Sequence, residues 1–275
     1  MARKLNLFSS NNRKELIKEI SSSTFDVVVI GGGITGAGIC LDAASRGFKV
    51  CLVEMSDFAS GTSSKSTKLI HGGLRYLEQF KFSLIRETGK ERAILHNLAP
   101  HIVKSEKMLL PITKGGKLSK FSTFFALQVY DYLAKVDNSD KKKMFSKTNT
   151  LNYEPLLRKE NVIGGALYSE YRTDDSRLTI DILKKSYKYG ALPINYIKFE
   201  KFLYKNEKIV GASCRDALSN KKININSKSI INASGSWTDE VLNENTEKLT
   251  LSKGIHIVIP SEKFPLKQSI YFDAI

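Results

Sequence analysis

The hydrophobic pattern is most regular near the start of the chain. Phe25 and residues 27–30 form an apolar, mostly β-branched run that three glycines follow directly. A continuous run of this kind is typical of a strand buried on both faces of a parallel sheet. Residues 39–46 then show helical spacing, and Gly47 ends this predicted helix. A second apolar run covers residues 49–54. This order of strand, helix and strand predicts a βαβ unit.

The glycines between the first strand and the helix have the spacing G-x-G-x-x-G. Gly31 would permit the tight turn, Gly33 would let the backbone approach a pyrophosphate, and Gly36 would let the helix pack on the strand. Ile34 and Thr35 lie within this glycine turn, where exposed N–H groups and the positive end of the helix dipole would face the phosphates. These five residues are predicted to contact a cofactor.

Glu54 ends the second predicted strand about 20 residues after Gly31, where dinucleotide-binding proteins carry an acidic residue. A carboxylate there accepts hydrogen bonds from ribose hydroxyls and repels a 2′-phosphate. The sequence therefore predicts a dinucleotide site and argues against NADP. These residues by themselves leave NAD and FAD as alternatives.

Hydrophobic spacing also predicts elements in the rest of the chain. The predicted helices cover residues 11–20, residues 74–98 with a break near Gly89, residues 121–135 and residues 178–189, and another helix begins at Thr238. The predicted strands cover residues 107–112, 164–171, 194–199, 208–215, 223–231, 254–260 and 269–275. We expect the helix at 11–20 to pack on the body and the apolar face of the helix at 121–135 to be core. A membrane contact is the alternative for both.

The formal net charge of +15, from 43 Lys and Arg against 28 Asp and Glu, raises the question of an anionic partner. The lysines are scattered, and the chain has no arginine-rich stripe or aromatic RNA-binding motif. A solvated lysine-rich surface is therefore predicted, with no nucleic-acid partner. This charge remains compatible with anionic lipid or with a phosphorylated substrate.

The three cysteines, Cys40, Cys51 and Cys214, lack C-x-x-C spacing and are predicted to be buried reduced thiols of a cytoplasmic protein. No stretch approaches the roughly 20 apolar residues of a membrane span, and the start lacks the apolar core of a signal peptide. We therefore expect a cytoplasmic protein, with peripheral contact to the cytoplasmic face of a membrane as an extension. No metal-ligand cluster is predicted.

Residues 60–76 are rich in hydroxyl side chains and contain two lysines. A flexible Ser/Thr linker is one interpretation. It does not explain why the run ends in the apolar pair Leu69-Ile70, a histidine and two glycines, a composition that brings backbone close to a flat ligand. A second candidate contact is the turn at residues 232–237, where a strand ends in small residues before a helix. An ordinary β-to-α turn is the alternative there.

Three stretches together resemble FAD-dependent glycerol-3-phosphate dehydrogenases and their oxidase relatives. They are residues 26–38 with Glu54, residues 62–78, and residues 232–237 followed by 253–256. The resemblance runs from about Phe25 to the last residue. It implies an α/β fold with a Rossmann-like FAD-binding domain of the glutathione-reductase type and an inserted antiparallel-sheet cap domain. The implied divisions are an N-terminal helix (1–23), the FAD domain (24–100 and 173–249) and the cap (101–172 and 250–275).

The resemblance also implies an activity, the oxidation of sn-glycerol 3-phosphate to dihydroxyacetone phosphate. Electrons would pass through FAD to a quinone or, in oxidases, to oxygen. Besides the glycine turn and Glu54, the implied FAD contacts are Thr62, Ser63, Ser64, Lys68, Leu69, Gly72, Ala233 and Gly235. His71 is the implied catalytic residue, because oxidation of a secondary alcohol needs a base for the hydroxyl proton and imidazole titrates near working pH.

The chain differs from the pattern of this family in two respects. Family members continue well past residue 275, and their later half is expected to supply a substrate-phosphate arginine motif. The chain is therefore expected to be an incomplete N-terminal portion with an incomplete cap. Ser234 and Ser236 also replace the commoner Thr and Pro. The alternatives are another FAD-dependent amine or hydroxy-acid oxidase and an inactive nucleotide-binding fragment.

Overall fold

The computed structural model describes residues 8–70, 81–116, 119–133, 136, 140–243 and 248–272. The chain forms two compact units, Met1–Ser66 with Asp174–Gly254 and Thr67–Thr173 with Ile255–Ile275. The predicted domain limits remain a prediction. They differ from these units chiefly in residues 67–100, which the prediction assigned to the FAD domain and which lie in the second unit.

The bounds of the regular elements are as follows. The strands are β1 (Thr24–Ile30), β2 (Val50–Val53), β3 (Leu69–Ile70), β4 (Lys104–Thr113), β5 (Lys143–Ser146), β6 (Val162–Arg172), β7 (Leu192–Ile194), β8 (Ile197–Lys205), β9 (Lys208–Asp216), β10 (Lys222–Asn232) and β11 (Ser269–Ile270). The α-helices are α1 (Arg13–Ser22), α2 (Ile34–Ser45), α3 (Phe82–Leu98), α4 (Lys120–Leu133), α5 (Lys147–Tyr153), α6 (Asp175–Lys188) and α7 (Thr238–Leu242). Short 3-10 helices cover Ser10–Asn12, Thr62–Ser64 and Gly235–Trp237.

The first unit is built on a six-stranded sheet in the order β7-β2-β1-β10-β9-β8. The strands β7, β2, β1 and β10 are parallel, and β9 and β8 add an antiparallel meander. Along β1, Val28 and Ile30 belong to one buried cluster and Val29 belongs to another. Both faces of β1 are therefore buried, which confirms the interpretation of the apolar run at residues 27–30.

Helices cover both faces of this sheet. On one face, α2 and α6 contribute Cys40 and Leu183 to the cluster that contains Val29. On the other face, α1 buries Leu16 and Ile20, so the N-terminal helix packs on the body as expected. The helix α6 is capped at its start, because the Asp174 side chain accepts a hydrogen bond from the Arg177 N–H.

All three cysteines are free and buried, which confirms the prediction of reduced structural thiols. Burial raises the pKa of the Cys40 thiol to about 11 and that of Cys214 to about 12. Burial also raises the pKa of Cys51 well above its ordinary value. Since the thiolate is the reactive form, these groups are chemically quiet at neutral pH.

The second unit is built on a five-stranded sheet in the order β11-β4-β6-β3, with β5 also pairing with β6. Its pairs are antiparallel except for β11 with β4. One face packs against α4 through Leu127, and the other packs against the segment that carries Leu157. A buried ion pair joins α3 to β6, with Arg92 Nη1 3.0 Å from Glu170 Oε2.

Several predicted elements differ from the observed ones. The helix α3 passes through Gly89 without a break, because Gly89 lies on its buried face, where packing outweighs the cost of about 1 kcal/mol for glycine in a helix. The strand predicted at 194–199 is two strands, which Tyr196 separates with a left-handed backbone (φ 54°). Residues 74–80 of the predicted helix at 74–98 lie outside the described residues.

The predictions for the last section are wrong in two respects. Residues 254–260 form no regular secondary structure, since an alternating apolar pattern becomes a strand only where a neighbouring strand pairs with it. The strand predicted at 269–275 is only two residues long within the described range, and it pairs with β4. No helix in the described part of the chain is long and apolar enough to cross a membrane.

Candidate cofactor-binding site

A cavity of about 770 Å³ opens in the first unit where β1, β2 and β10 end. Carboxyl ends of parallel strands are the usual ligand position in open α/β sheets. The predicted site residues that line the cavity are Gly31, Gly33, Ile34, Thr35, Glu54, Thr62, Ser63, Ala233 and Gly235. Three separated stretches of sequence thus meet at one place.

The three motif glycines differ in what surrounds them. Gly31 has a left-handed φ of 111°, and a Cβ there would lie 2.4 Å from the Ala233 carbonyl oxygen. A Cβ on Gly36 would lie 1.9 Å from the Gly31 carbonyl oxygen. The nearest atom to a Cβ on Gly33 is the Ser63 hydroxyl, at 3.2 Å. Gly31 and Gly36 are therefore needed for packing within the protein, while Gly33 presents bare backbone to the cavity.

The start of α2 is the part of the site that suits a phosphate. Gly33 is the N-cap residue and offers no side chain, so the first N–H groups of the helix are open to other acceptors. The Ser63 hydroxyl accepts a hydrogen bond from the Ile34 N–H at 2.9 Å. A hydroxyl from the Ser/Thr-rich stretch thus lies at the positive end of the helix dipole.

Glu54 is fixed at the end of β2 by two backbone donors. Its Oε2 accepts from the Gly32 N–H at 2.7 Å, and its Oε1 accepts from the Ser56 N–H at 2.8 Å. Each carboxylate oxygen has a second lone pair, so both can still accept a hydrogen bond from a ligand hydroxyl. The carboxylate is therefore oriented in advance for a ribose.

Gly32 is a residue to which the sequence motif assigned no role. A Cβ there would lie 2.8 Å from the Glu54 Cβ and 2.9 Å from Cδ1 of Phe58. The side chain of Glu54 can bind the Gly32 N–H only because nothing projects from Gly32. The available signal was the run of three consecutive glycines, since the motif itself explains only Gly31 and Gly33.

The turn between β10 and α7 forms the opposite wall. Asn232 Oδ1 accepts from the Ser234 N–H at 3.1 Å and from its hydroxyl at 2.6 Å, and Asn232 Nδ2 donates to the Thr238 carbonyl at 3.2 Å. Ser234 therefore makes with its hydroxyl a bond that threonine could also make. A Cβ on Gly61 would lie 3.1 Å from the Trp237 ring, so the turn packs closely on the hydroxyl-rich stretch.

Three charged residues on β8 and β9 also line the cavity. No motif in the sequence marks them as site residues. They are Lys198, Glu200 and Arg215, and Arg215 Nε donates to Glu200 Oε1 at 2.5 Å. Pairing of β8 with β9 places Lys198 opposite Arg215. The sequence analysis missed this group because only the sheet register brings it to the site.

Some predicted contacts are not part of this cavity lining. Ser64 donates through its hydroxyl to the Gly61 carbonyl at 3.3 Å. Lys68 and Leu69 belong to the second unit. His71 and Gly72 lie outside the described residues. The roles assigned to these five residues stay predictions, as do the cofactor contacts assigned to the residues that line the cavity. Among the described residues, no group of three or more His, Cys, Asp and Glu could hold a metal ion.

The βαβ unit, its glycine turn and the acidic residue at the end of β2 define a dinucleotide-binding α/β protein. The family model "FAD dependent oxidoreductase" matches residues 26–273. The chain belongs to this family of FAD-dependent oxidoreductases. This membership confirms the predicted family and cofactor, FAD, and the observed parallel and antiparallel sheets agree with the predicted fold class.

Two relatives show where in the family the chain falls. It is 52% identical over 270 residues to the aerobic glycerol-3-phosphate dehydrogenase of Staphylococcus aureus, covering 96% of this chain and 48% of the relative. The solved glycerol-3-phosphate dehydrogenase of Bacillus halodurans, complexed with FAD, is 41% identical with a TM-score of 0.75. That match covers 97% of this chain and 46% of the other. The chain therefore spans about half the length of these relatives.

A more distant solved structure shows the same fold. The L-α-glycerophosphate oxidase of Mycoplasma pneumoniae, with FAD bound, is 18% identical with a TM-score of 0.62. The match covers 79% of this chain and 56% of the oxidase.

Replacing Glu54 with alanine should weaken FAD binding about tenfold or more, because charge-assisted hydrogen bonds are worth roughly 1.5–3 kcal/mol. Titration of the FAD-free protein at fixed salt and pH measures the effect. Glu54→Gln is the matched control, since it keeps the shape of the side chain and removes its charge. Its affinity for FAD should fall between those of the unmodified protein and Glu54→Ala. Thermal unfolding without FAD separates lost ligand contacts from lost bonds to Gly32 and Ser56. Unchanged affinity in Glu54→Ala would show that the residue only ends a strand.

Proposed function

We propose that this chain forms the FAD-binding portion of a glycerol-3-phosphate dehydrogenase that oxidises sn-glycerol 3-phosphate to dihydroxyacetone phosphate. The observation that carries the proposal is the cavity in which the glycine turn, Glu54 and Ser63 meet, in a chain 52% identical to a dehydrogenase of that name. The electron acceptor proposed is a quinone, and the metabolic context is the use of glycerol. Oxygen is the alternative acceptor.

The residues of the cavity fit the adenosine diphosphate part of FAD. Bare backbone at Gly33, the open start of α2 and the Ser63 hydroxyl suit the pyrophosphate. The Glu54 carboxylate suits the ribose hydroxyls. By the family resemblance, Thr62, Ser64 and Lys68 would hold the pyrophosphate and the ribityl chain. Leu69, Gly72, Ala233 and Gly235 would complete the cofactor contacts.

FAD, when bound, would supply the hydride acceptor that oxidation of the substrate carbon needs. Oxidation of the secondary alcohol also releases the hydroxyl proton, so the protein must provide a base at that oxygen. His71 is the residue that we assign to this role. Exclusion of water from the same place would strengthen the interaction between the imidazole and the substrate hydroxyl.

The test joins this chain to the second half of the S. aureus relative and loads the product with FAD. Under anaerobic conditions, sn-glycerol 3-phosphate should bleach the flavin, whereas amines and simple hydroxy acids should not. Bleaching by an amine or a hydroxy acid instead would favour another oxidase. A fully loaded protein that no substrate reduces would favour the inactive nucleotide-binding fragment. The chain alone should hold FAD weakly and show no turnover.

The proposal includes peripheral contact with a membrane surface. An exposed face of α4 supports this contact. Phe121, Phe125 and Tyr132 are 74%, 51% and 81% exposed on this helix. The helix also begins at an exposed lysine, Lys120. Exposed aromatic and basic side chains together suit the surface of an anionic membrane.

Co-sedimentation with vesicles tests this contact. Vesicles that contain phosphatidylserine should bind the protein, and the double variant Phe121→Ser/Phe125→Ser should lose most of the binding. Leu218→Ser is the matched control, because Leu218 is 64% exposed and lies in the first unit. Equal loss in the control and the double variant would remove α4 from the proposal.

A further inference from the structure

The side chain of Arg13, the first residue of α1, binds the turn between β7 and β8. Its Nη1 donates to the Asn195 carbonyl at 2.7 Å, and its Nη2 donates to the Tyr196 carbonyl at 3.4 Å. Nη2 also lies 2.5 Å from Asp216 Oδ1, in an ion pair whose side chains are only 17% and 4% exposed. One guanidinium therefore fixes two successive carbonyls of the turn and is itself held by a carboxylate.

This turn needs such support, because Tyr196 has a left-handed backbone (φ 54°). The left-handed conformation is unfavourable for a residue with a bulky side chain, and it persists only where surrounding contacts hold it. The Ala217 N–H also donates to the Tyr196 carbonyl, at 2.8 Å. Arg13 and Ala217 together supply contacts that keep the turn in this conformation.

The same turn is bonded to the loop that follows Glu54. The Tyr196 N–H donates to the Ser56 carbonyl at 3.0 Å, and Asn195 Nδ2 donates to Asp57 Oδ1 at 2.9 Å. Ser56 donates its own N–H to the Glu54 carboxylate. A short path of hydrogen bonds therefore leads from the guanidinium to that carboxylate.

A second contact comes from Phe8, which precedes α1. Its ring centre lies 6.0 Å from that of Phe58 and 5.5 Å from that of Tyr187. Phe58 covers Gly32, where a Cβ would lie 2.9 Å from the Cδ1 of the ring. The Gly32 N–H is the other backbone donor to Glu54. The segment before β1 therefore supports both donors that orient the carboxylate.

We propose that Arg13 and Phe8 are positioning residues for the ribose-binding carboxylate of Glu54. Neither of them is among the described residues that line the cavity, so they act through the Ser56 loop and through Phe58. A carboxylate that is held in advance loses less freedom when a ribose binds, and the affinity for FAD rises accordingly. The inference rests on the assignment of Glu54 to the ribose and not on the proposed reaction.

Titration of the FAD-free chain with FAD tests the effect. The chain has a single tryptophan, Trp237, which lines the cavity, so its fluorescence should fall as FAD binds. Arg13→Ala and Phe8→Ala should each weaken FAD binding about three- to tenfold, and less than Glu54→Ala does. Lys14→Ala is the matched control and should bind FAD normally, because Lys14 adjoins Arg13, is exposed and carries the same charge.

A double-variant cycle separates positioning from general destabilisation. If Arg13 acts through Glu54, Arg13→Ala should weaken FAD binding by less than about twofold in a chain that already carries Glu54→Ala. Arg13→Lys should recover part of the affinity, since lysine keeps the charge but cannot span both carbonyls. Asn195→Ala serves if Arg13→Ala fails to fold, because it removes the bond to Asp57 and leaves the buried ion pair intact. It should show the same dependence on Glu54.

Amide hydrogen exchange of the FAD-free chain gives a readout that needs no cofactor. The Ser56 and Tyr196 amides should exchange about tenfold or more faster in Arg13→Ala and at the normal rate in Lys14→Ala. Unchanged exchange, full additivity with Glu54→Ala, or equal FAD affinity of Arg13→Ala and Lys14→Ala would each overturn the proposal. No substrate is used in these measurements, so failure of the proposed reaction would leave their results intact.

Discussion

Replacing Gly36 with alanine should abolish measurable FAD binding and lower the free energy of unfolding by about 3 kcal/mol or more. The added Cβ would lie 1.9 Å from the Gly31 carbonyl oxygen, a backbone atom that cannot move without opening the turn. Relief of this overlap requires α2 to move away from β1. The open N–H groups at the start of α2 and the Ser63 hydroxyl would then no longer face the same point.

Gly38 provides the matched control in the same helix. A Cβ there has no atom within 4 Å, and its backbone is helical. Gly38→Ala should therefore keep FAD affinity and raise stability by about 0.5–1 kcal/mol, because alanine loses less backbone entropy than glycine. Urea unfolding and FAD titration of both variants make the comparison. Equal stability of the two variants would contradict the close approach of α2 to the turn.

Replacing His71 with alanine should slow reduction of the flavin by about 10² to 10⁴, the usual contribution of a general base. The FAD content should change little, because the proposal assigns the holding of FAD chiefly to the residues that line the cavity of the first unit. The residue directly follows β3, which pairs with β6, and the Thr173 N–H donates to the Lys68 carbonyl at 2.9 Å. The chain is thus held on the sheet immediately before His71, as a positioned base requires.

The measurement is anaerobic stopped-flow reduction by sn-glycerol 3-phosphate in the enzyme completed with the second half of the S. aureus relative. His101→Ala is the control, since His101 is exposed and has no proposed role, and it should keep the normal rate. A normal rate with loss of FAD in His71→Ala would show that His71 anchors the cofactor. A normal rate with full FAD would mean that another group takes the proton.

The site could be predicted from sequence where its residues are close together in the chain. The strand β1, the helix α2 and the glycines between them are determined by local pattern, because an apolar run, a tight turn and a helix start each need particular residues in sequence. Glu54 follows from the same unit, since one βαβ crossover fixes where its second strand ends. Ser63, in the hydroxyl-rich stretch, stays a predicted contact, and its bond to the Ile34 N–H is visible only in the structure.

The sequence by itself determined the βαβ unit, the cofactor class and the chemistry of the glycine turn, because these depend on residues that are neighbours in the chain. Only the tertiary structure decided that Gly32 makes room for Glu54 and that Lys198, Glu200 and Arg215 reach the cavity. It also decided that residues 254–260, with a strand-like pattern, remain unpaired. The physical reason is the same in each case. Strand pairing and close contact depend on which distant segment lies alongside, and hydrophobic periodicity carries no information about that partner.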